Sequence, residues 1–191
     1  MRLQAALLPP PEVQGDLGAA VASVSGGREQ LDPVPTRLLH LRLANFGTVS
    51  LRDADALRST LEQELARAPS LRLRFRGGAV LEPIGDDSAW AELDGDVKGL
   101  VDVADTIARA VKPLGFLVDR RLPRTRMRVG AINSATTEPY LLRLIERLES
   151  YVGPEWTCHD IILLQMLDPV DGAPAEFEVR HHLKLRSSEP S

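Results

Sequence analysis

Leu38-Leu39-His40-Leu41-Arg42-Leu43 decides how this chain is read, together with its echo at Arg124-Thr125-Arg126-Met127. In the first stretch Leu39, Leu41 and Leu43 alternate with His40 and Arg42. Strand side chains point to opposite faces with a period of two, so the leucines pack inward while His40 and Arg42 share the other face. In the second stretch Arg124, Arg126 and Arg128 alternate with Thr125, Met127 and Val129. At an offset of about 84 residues His40 falls on Arg124, Arg42 on Arg126 and Leu43 on Met127. These two strands form the expected functional centre.

The same offset carries Val13 onto Val97, Leu17 onto Val101, Ala20 onto Ala104, Leu57 onto Leu141 and Leu61 onto Ile145. Each half therefore reads strand, helix, motif strand, helix, strand. The expected fold is α+β: two pseudo-symmetric lobes, each an antiparallel sheet packed with two helices, around a central cleft. The chain is expected to be a single bilobal domain over 1–191. Its repeats span approximately 2–83 and 87–166, and 167–191 complete the last sheet before a frayed end.

Outward from the motifs, residues 2–8 read as a strand and Pro11 opens a helix that Gly26-Gly27 stops. A turn-rich segment follows through Asp32-Pro33 and Pro35. Ser50 with Asp53 reads as a capping box for a helix carrying Leu57, Leu61 and Leu65. Leu71, Leu73 and Phe75 alternate with Arg72, Arg74 and Arg76 in a strand whose charged row reads as protection of a sheet edge. A short strand at 79–83 and another at 88–93 precede a helix over 96–111, ended by Pro113 and Gly115. Glu138-Pro139 starts a last helix with Leu141, Leu144, Ile145 and Leu148 inward. Residues 156–166 and 177–185 read as the final two strands.

With 191 residues, 43% of them hydrophobic, the chain can bury a proper core. A net charge of -4 argues against a general nucleic-acid coat protein, though not against a local basic cleft. Only 4% of residues are aromatic, which leaves little for base stacking and gives no support to sequence-specific RNA reading; Trp90 and Trp156 are expected in the core. A single cysteine, Cys158, excludes an internal disulfide framework and reads as a small buried hydrophobe. The apolar stretch Leu3 to Leu8 is short, ends at three prolines and lacks a cleavage pattern. No segment approaches the roughly 20 apolar residues of a membrane helix. These features set the expectation of a cytoplasmic protein. Neither a metal-ligand cluster nor a glycine-rich phosphate loop is present, so no metal and no cofactor is expected.

A duplicated α+β unit, each half offering a motif strand, resembles the two-histidine (2H) phosphoesterases, the superfamily of the 2'-5' RNA ligases and cyclic phosphodiesterases. Met-Arg-Leu-Gln-Ala-Ala-Leu followed by Pro-Pro-Glu-Val looks like the family's first strand and helix start. Leu39-His40-Leu41-Arg42-Leu43 before Phe46-Gly47 resembles its first motif, usually His-Leu-Thr-Leu. Ala89-Trp90 sits where a strand tryptophan is common. Pro123-Arg124-Thr125-Arg126-Met127 occupies the slot of the second, usually Pro-His-x-Thr-Leu. The resemblance covers nearly the whole chain. Of four signature polar positions only His40 is intact: Arg124 replaces the second histidine, and Arg42 and Arg126 replace the two hydroxyl residues.

In the family one histidine takes a proton from the attacking hydroxyl and the other protonates the leaving oxygen. Arginine can do neither, because its pKa above ~12 leaves it charged and without a lone pair. Losing one proton-transfer partner costs on the order of 10²–10⁴ in rate. Whether the chain is an enzyme is thus open. His40 is the candidate catalytic residue, with Arg42, Arg124 and Arg126 as substrate-binding donors suited to phosphate. Neighbouring arginines are expected to lower the His40 pKa. The competing reading leaves these arginines on a solvated face or paired with acidic neighbours. His159 follows the last helix, hence lies outside the second motif, and His181 and His182 face opposite sides of the last strand; all three read as surface or strand-capping residues.

The expected function is a degenerate homologue that binds a phosphorylated small molecule or RNA terminus with little or no turnover. An active 2',3'-cyclic phosphodiesterase or RNA ligase using His40 is one alternative, and a non-catalytic protein-interaction module is another. A monomer acting on neither DNA nor membrane is expected.

Overall fold

Leu39, Leu41 and Leu43 are buried as their alternation requires, and the strand they begin sits at the edge of one of two antiparallel sheets. The computed structural model describes residues 1–24, 26–79, 88–118, 125–168 and 176–187. Its strands are β1 (Arg2–Leu7), β2 (Leu31–Pro33), β3 (Leu41–Thr48), β4 (Leu71–Ala79), β5 (Ser88–Gly95), β6 (Arg126–Ile132), β7 (Trp156–Cys158), β8 (Asp160–Met166) and β9 (Phe177–Lys184). Its helices are α1 (Pro11–Ala22), α2 (Gly27–Gln30), α3 (Leu51–Leu65), α4 (Val97–Val111) and α5 (Glu138–Glu149). The four-stranded sheet runs β3-β1-β8-β9 and the five-stranded sheet β2-β6-β5-β4-β7. Each sheet takes strands from both halves of the sequence.

The helices pair as α1 with α5 and α3 with α4. α5 packs on β4 of the five-stranded sheet, and α3 packs on β9 of the four-stranded one. The main core joins Leu3, Leu7, Leu41 and Leu163 of the smaller sheet to Leu73, Phe75, Met127 and Val129 of the larger. The α+β architecture of two antiparallel sheets with helices on each is thus present. α3 starts as its sequence demands, with the Ser50 side chain accepting from the Asp53 N–H at 3.2 Å and Leu57, Leu61 and Leu65 fully buried.

Several expectations need correction. The 156–166 strand is two strands in different sheets, β7 pairing with β4 and β8 with β1. The chain changes sheet at His159, whose carbonyl accepts from the Leu185 N–H. The turn-rich segment after α1 contains α2 and β2. Two prolines hide this strand, and Gly130 makes room for it, since a Cβ there would meet Leu31 at 2.8 Å. β4 is an inner strand, so Arg72, Arg74 and Arg76 guard no edge. Expected as a separate strand, 79–83 lies outside the described residues except for Ala79, which ends β4. In α5 the buried residues are Tyr140, Leu144 and Leu148, with Leu141 and Ile145 only half-buried. In α4 the buried residues are Leu100, Val103, Ala104, Ile107 and Val111. Val97 and Val101, onto which the offset carries the buried Val13 and Leu17, are only half-buried. Trp156 is buried as expected, whereas Trp90 is half-buried.

Candidate functional site

β2 ends in a backbone bond from the Val34 N–H to the Val129 carbonyl of β6. From there the chain passes Pro35 and a 3₁₀ turn at Thr36–Leu38, then enters β3 in the other sheet. His40 therefore stands where the chain crosses between sheets, and β3 comes into contact with β6. This crossing brings the two motif strands together although neither pairs with the other.

Register places the remaining groups. Arg42 lies opposite Ala6, Ala6 opposite Ile162, and Ile162 opposite His182, so these four share one sheet face. The face is floored by an apolar cluster of Ala6, Ile162 and Leu164, with Leu8 and Phe177 against it. The His40 ring meets the Phe177 ring edge-on with centroids 5.1 Å apart, which puts the imidazole on the same face. An ion pair between Arg37 and Glu176 ties the start of β9 to the turn before His40.

His40 Nδ1 lies 2.8 Å from the Leu38 carbonyl oxygen. A carbonyl can only accept, so Nδ1 carries the proton and the neutral ring keeps its lone pair on Nε2. Burial pushes the His40 pKa down, the Leu38 bond opposes it, and Arg42 adds to the lowering. The sequence expectation named only the arginines; burial under Phe177 and its neighbours is the larger cause. Near neutral pH the ring is uncharged and offers a base.

Arg126 begins β6 and its Nε donates to Glu92 Oε1 at 3.2 Å. Glu92 lies opposite Arg126 on β5, so the pairing is built into the register. Arg74 is paired likewise with Asp94 at 2.9 Å, and Arg76 with the same carboxylate at 3.7 Å. The Gly95 N–H, then Arg74, hold the Asp94 carboxyl below its usual range. Part of the competing reading thus applies: carboxylates already occupy Arg74, Arg76 and Arg126 of this sheet. Arg42 is exposed on β3, and Arg124 lies outside the described residues. The structure brings His40 and Arg42 onto one face and sets Arg126 on the strand that approaches it.

Sequence reasoning missed Phe177, Glu92 and the Leu38 carbonyl. Glu92 could have been found once β5 was registered against β6, and the Leu38 carbonyl is a local turn contact two residues from His40, whereas Phe177 depends on long-range geometry. His182 Nδ1 donates to Asp160 Oδ2 over 2.7 Å, and Lys184 Nζ donates to the same oxygen at 3.1 Å. Burial raises the Asp160 pKa, but those two partners outweigh it and leave it lowered. Cys158 is buried and desolvation pushes its thiol up to about 12, which leaves it inert at neutral pH. Among the described residues no group of His, Cys, Asp and Glu could hold a metal ion, and no helix is long and apolar enough to cross a membrane.

Solved structures share this fold over nearly their whole length. TT0787 of Thermus thermophilus is 20% identical and superposes with a TM-score of 0.75, covering 99% of this chain and 100% of the other. LigT of E. coli complexed with 3'-AMP is 18% identical with a TM-score of 0.73, over 96% of this chain and 97% of LigT. A protein described as a phosphoesterase gives 20% and 0.72, over 97% and 98%. The chain has the two-histidine phosphoesterase fold. No family model and no curated protein matches the sequence. LigT has also been crystallised with ATP, NADP+ and phosphate.

Proposed function

We propose that the protein binds a phosphorylated small molecule or RNA terminus on the face around His40, with little or no turnover. The observation that carries this is the Leu38 bond to His40 Nδ1. It leaves Nε2 as an acceptor beside Arg42, so one proton acceptor and one fixed cation face the same space. Phosphoryl transfer also needs a donor for the leaving oxygen, and no arginine can supply a proton at neutral pH. The likeness to a protein that has been crystallised with 3'-AMP, ATP and phosphate supports the class of ligand. Arg126 contributes once its guanidinium turns from Glu92 to the ligand, and Arg124 joins it by the alternation of the second motif. In the same reading the chain is one bilobal domain made by duplication.

The state of His40 also favours a second reading, a slow 2',3'-cyclic phosphodiesterase with His40 as base and Arg42 and Arg126 stabilising the charged transition state. One experiment separates the two. The protein is titrated with 3'-AMP and ATP at two salt concentrations, and 2',3'-cyclic AMP is followed by phosphorus NMR. Saturable, salt-sensitive binding that Arg42→Ala weakens, without product, is the expected result. Product formation abolished by His40→Ala establishes the enzyme instead. Absence of saturable binding overturns both readings and leaves the interaction module.

A further inference from the structure

The buried face of α1 carries one polar side chain. Gln14 is only 6% exposed, among Val13, Leu17, Ala20 and Val21, and its Nε2 donates to the Leu39 carbonyl at 2.8 Å. Burying an amide is unfavourable unless it is hydrogen-bonded, so what this glutamine holds accounts for its place. It holds the peptide that joins Leu39 to His40.

Strand pairing does not fix that peptide. The ladder between β3 and β1 starts at Leu41, opposite Leu7, and the incoming segment leaves β6 after the Val34 bond. Between them the turn at Thr36–Leu38 is seated on α1 at two points. At Gly18 the approach is so close that a Cβ would lie 2.8 Å from Thr36 Oγ1, and at Gln14 the amide grips the Leu39 carbonyl. Positions four apart share a helix face, so α1 offers the turn a notch and a donor one helical turn apart. In the chain Leu38 lies between the two contacts, and its carbonyl is the one that accepts from His40 Nδ1.

We propose that Gln14 is a positioning residue: by fixing the Leu39–His40 peptide it holds the Leu38 carbonyl against Nδ1, and so presents Nε2 of His40 as a bare acceptor. Which ring nitrogen carries the proton is set by such a bond. With the turn released, Nδ1 loses its acceptor and the ring moves toward the Nε2–H form. For ligand binding the inference rests on the phosphate-binding reading above; for the state of the ring it does not. On that reading an acceptor at Nε2 favours a phosphate ester with a free hydroxyl beside the phosphate, which donates to it.

The test reads the His40 ring by heteronuclear NMR in the full chain without ligand, at a pH where it is neutral. The unaltered protein should show the Nδ1–H form. Gln14→Met keeps the length of the side chain and removes the donor, and should bring in the Nε2–H form. Gly18→Ala should act in the same direction, because its methyl pushes Thr36 off α1 while alanine favours the helix itself. Val13→Ala, a buried truncation on the same helix, should lower stability and leave the ring as it was. The same proteins are then titrated with 3'-AMP and its 2'-deoxy counterpart. The unaltered chain should prefer 3'-AMP roughly three- to tenfold, the worth of one hydrogen bond, and Gln14→Met should erase the preference. An Nε2–H ring in the unaltered chain, an Nδ1–H ring in both Gln14→Met and Gly18→Ala, or a shift as large in Val13→Ala overturns the proposal, as does equal binding of the two nucleotides. Failure of both nucleotides to bind the unaltered chain overturns the phosphate reading instead, while the ring spectra still decide the role of Gln14.

Discussion

Replacing Glu92 by glutamine should make the protein bind ATP more tightly, and the size of the effect follows from the pairing of Glu92 with Arg126. The carboxylate oxygen lies 3.2 Å from Arg126 Nε. A phosphate oxygen taken by the same guanidinium lies ~2.8 Å beyond it, hence on the order of 6 Å from Glu92. In water a dianion at that distance is repelled by ~1.4 kcal/mol, and screening at 0.15 M salt leaves about half of it. Freeing Arg126 from an ion pair whose side chains are 29% and 39% exposed adds only ~0.2–1 kcal/mol. Together these amount to ~1–2 kcal/mol, on the order of tenfold in affinity. Calorimetric titration at 0.15 M and 1 M salt measures it. The gain should shrink at 1 M, where the screening length falls to ~3 Å. Should Glu92→Gln bind ATP no better, or worse, the carboxylate does not compete with the ligand but orients Arg126 for it.

Three further outcomes follow from the packing and the titrating groups. The His40 ring signal should titrate below 6.5 in proton NMR, and Arg42→Ala should raise the midpoint only part of the way, since burial is the larger cause. A histidine with a lowered folded pKa binds fewer protons folded than unfolded, so stability contributed by its neutral form is complete above 6.5 and declines as pH falls below it. In chemical denaturation Leu144→Ala should cost about 2–5 kcal/mol and Ile145→Ala less than half as much, because only Leu144 is fully enclosed. Asp160→Asn should cost no more than ~1 kcal/mol, given partners that are 57% and 71% exposed. The Asp160 carboxyl is lowered from 3.8, so that cost is present above 3.8 and vanishes as pH drops through the lowered value.

Period and capping made the large elements legible. Alternating leucines around His40, the Ser50 cap and the spaced leucines of α3 each state a local requirement that the fold then meets. What stayed hidden depends on partners far away in sequence. β2 is three residues long with a proline in it, and it exists because β6 offers it a ladder beside Gly130. The break at His159 has no local signal, because both flanking segments are apolar and only the sheet exchange separates them. The offset drawn from the motif strands misassigned the faces of α4 and α5 for a related reason. A helix can slip by one residue relative to a strand whenever the connecting loop absorbs the difference. Half of the site was legible in the same way: alternation set Arg42 on the side of His40, but pairing of Arg126 with Glu92 required knowing which strand lies beside β6.

The remaining question about turnover is whether another group supplies the proton that Arg124 and Arg126 cannot. Among the described residues His182 is the candidate, since it lies on the same sheet face and is held in place by the Asp160 carboxylate. Register argues against it. Three strand spacings separate Arg42 from His182, ~14 Å at ~4.8 Å each. Its Nδ1 is committed at 2.7 Å to Asp160 of the adjoining β8, which holds the ring two strand spacings short of β3. His182→Ala should therefore leave ATP affinity and any release of product from 2',3'-cyclic AMP unchanged, while His40→Ala removes whatever turnover there is. If the two substitutions instead lowered turnover equally, with binding intact, β9 would hold the missing acid and the chain would be an enzyme whose second histidine has moved to another strand.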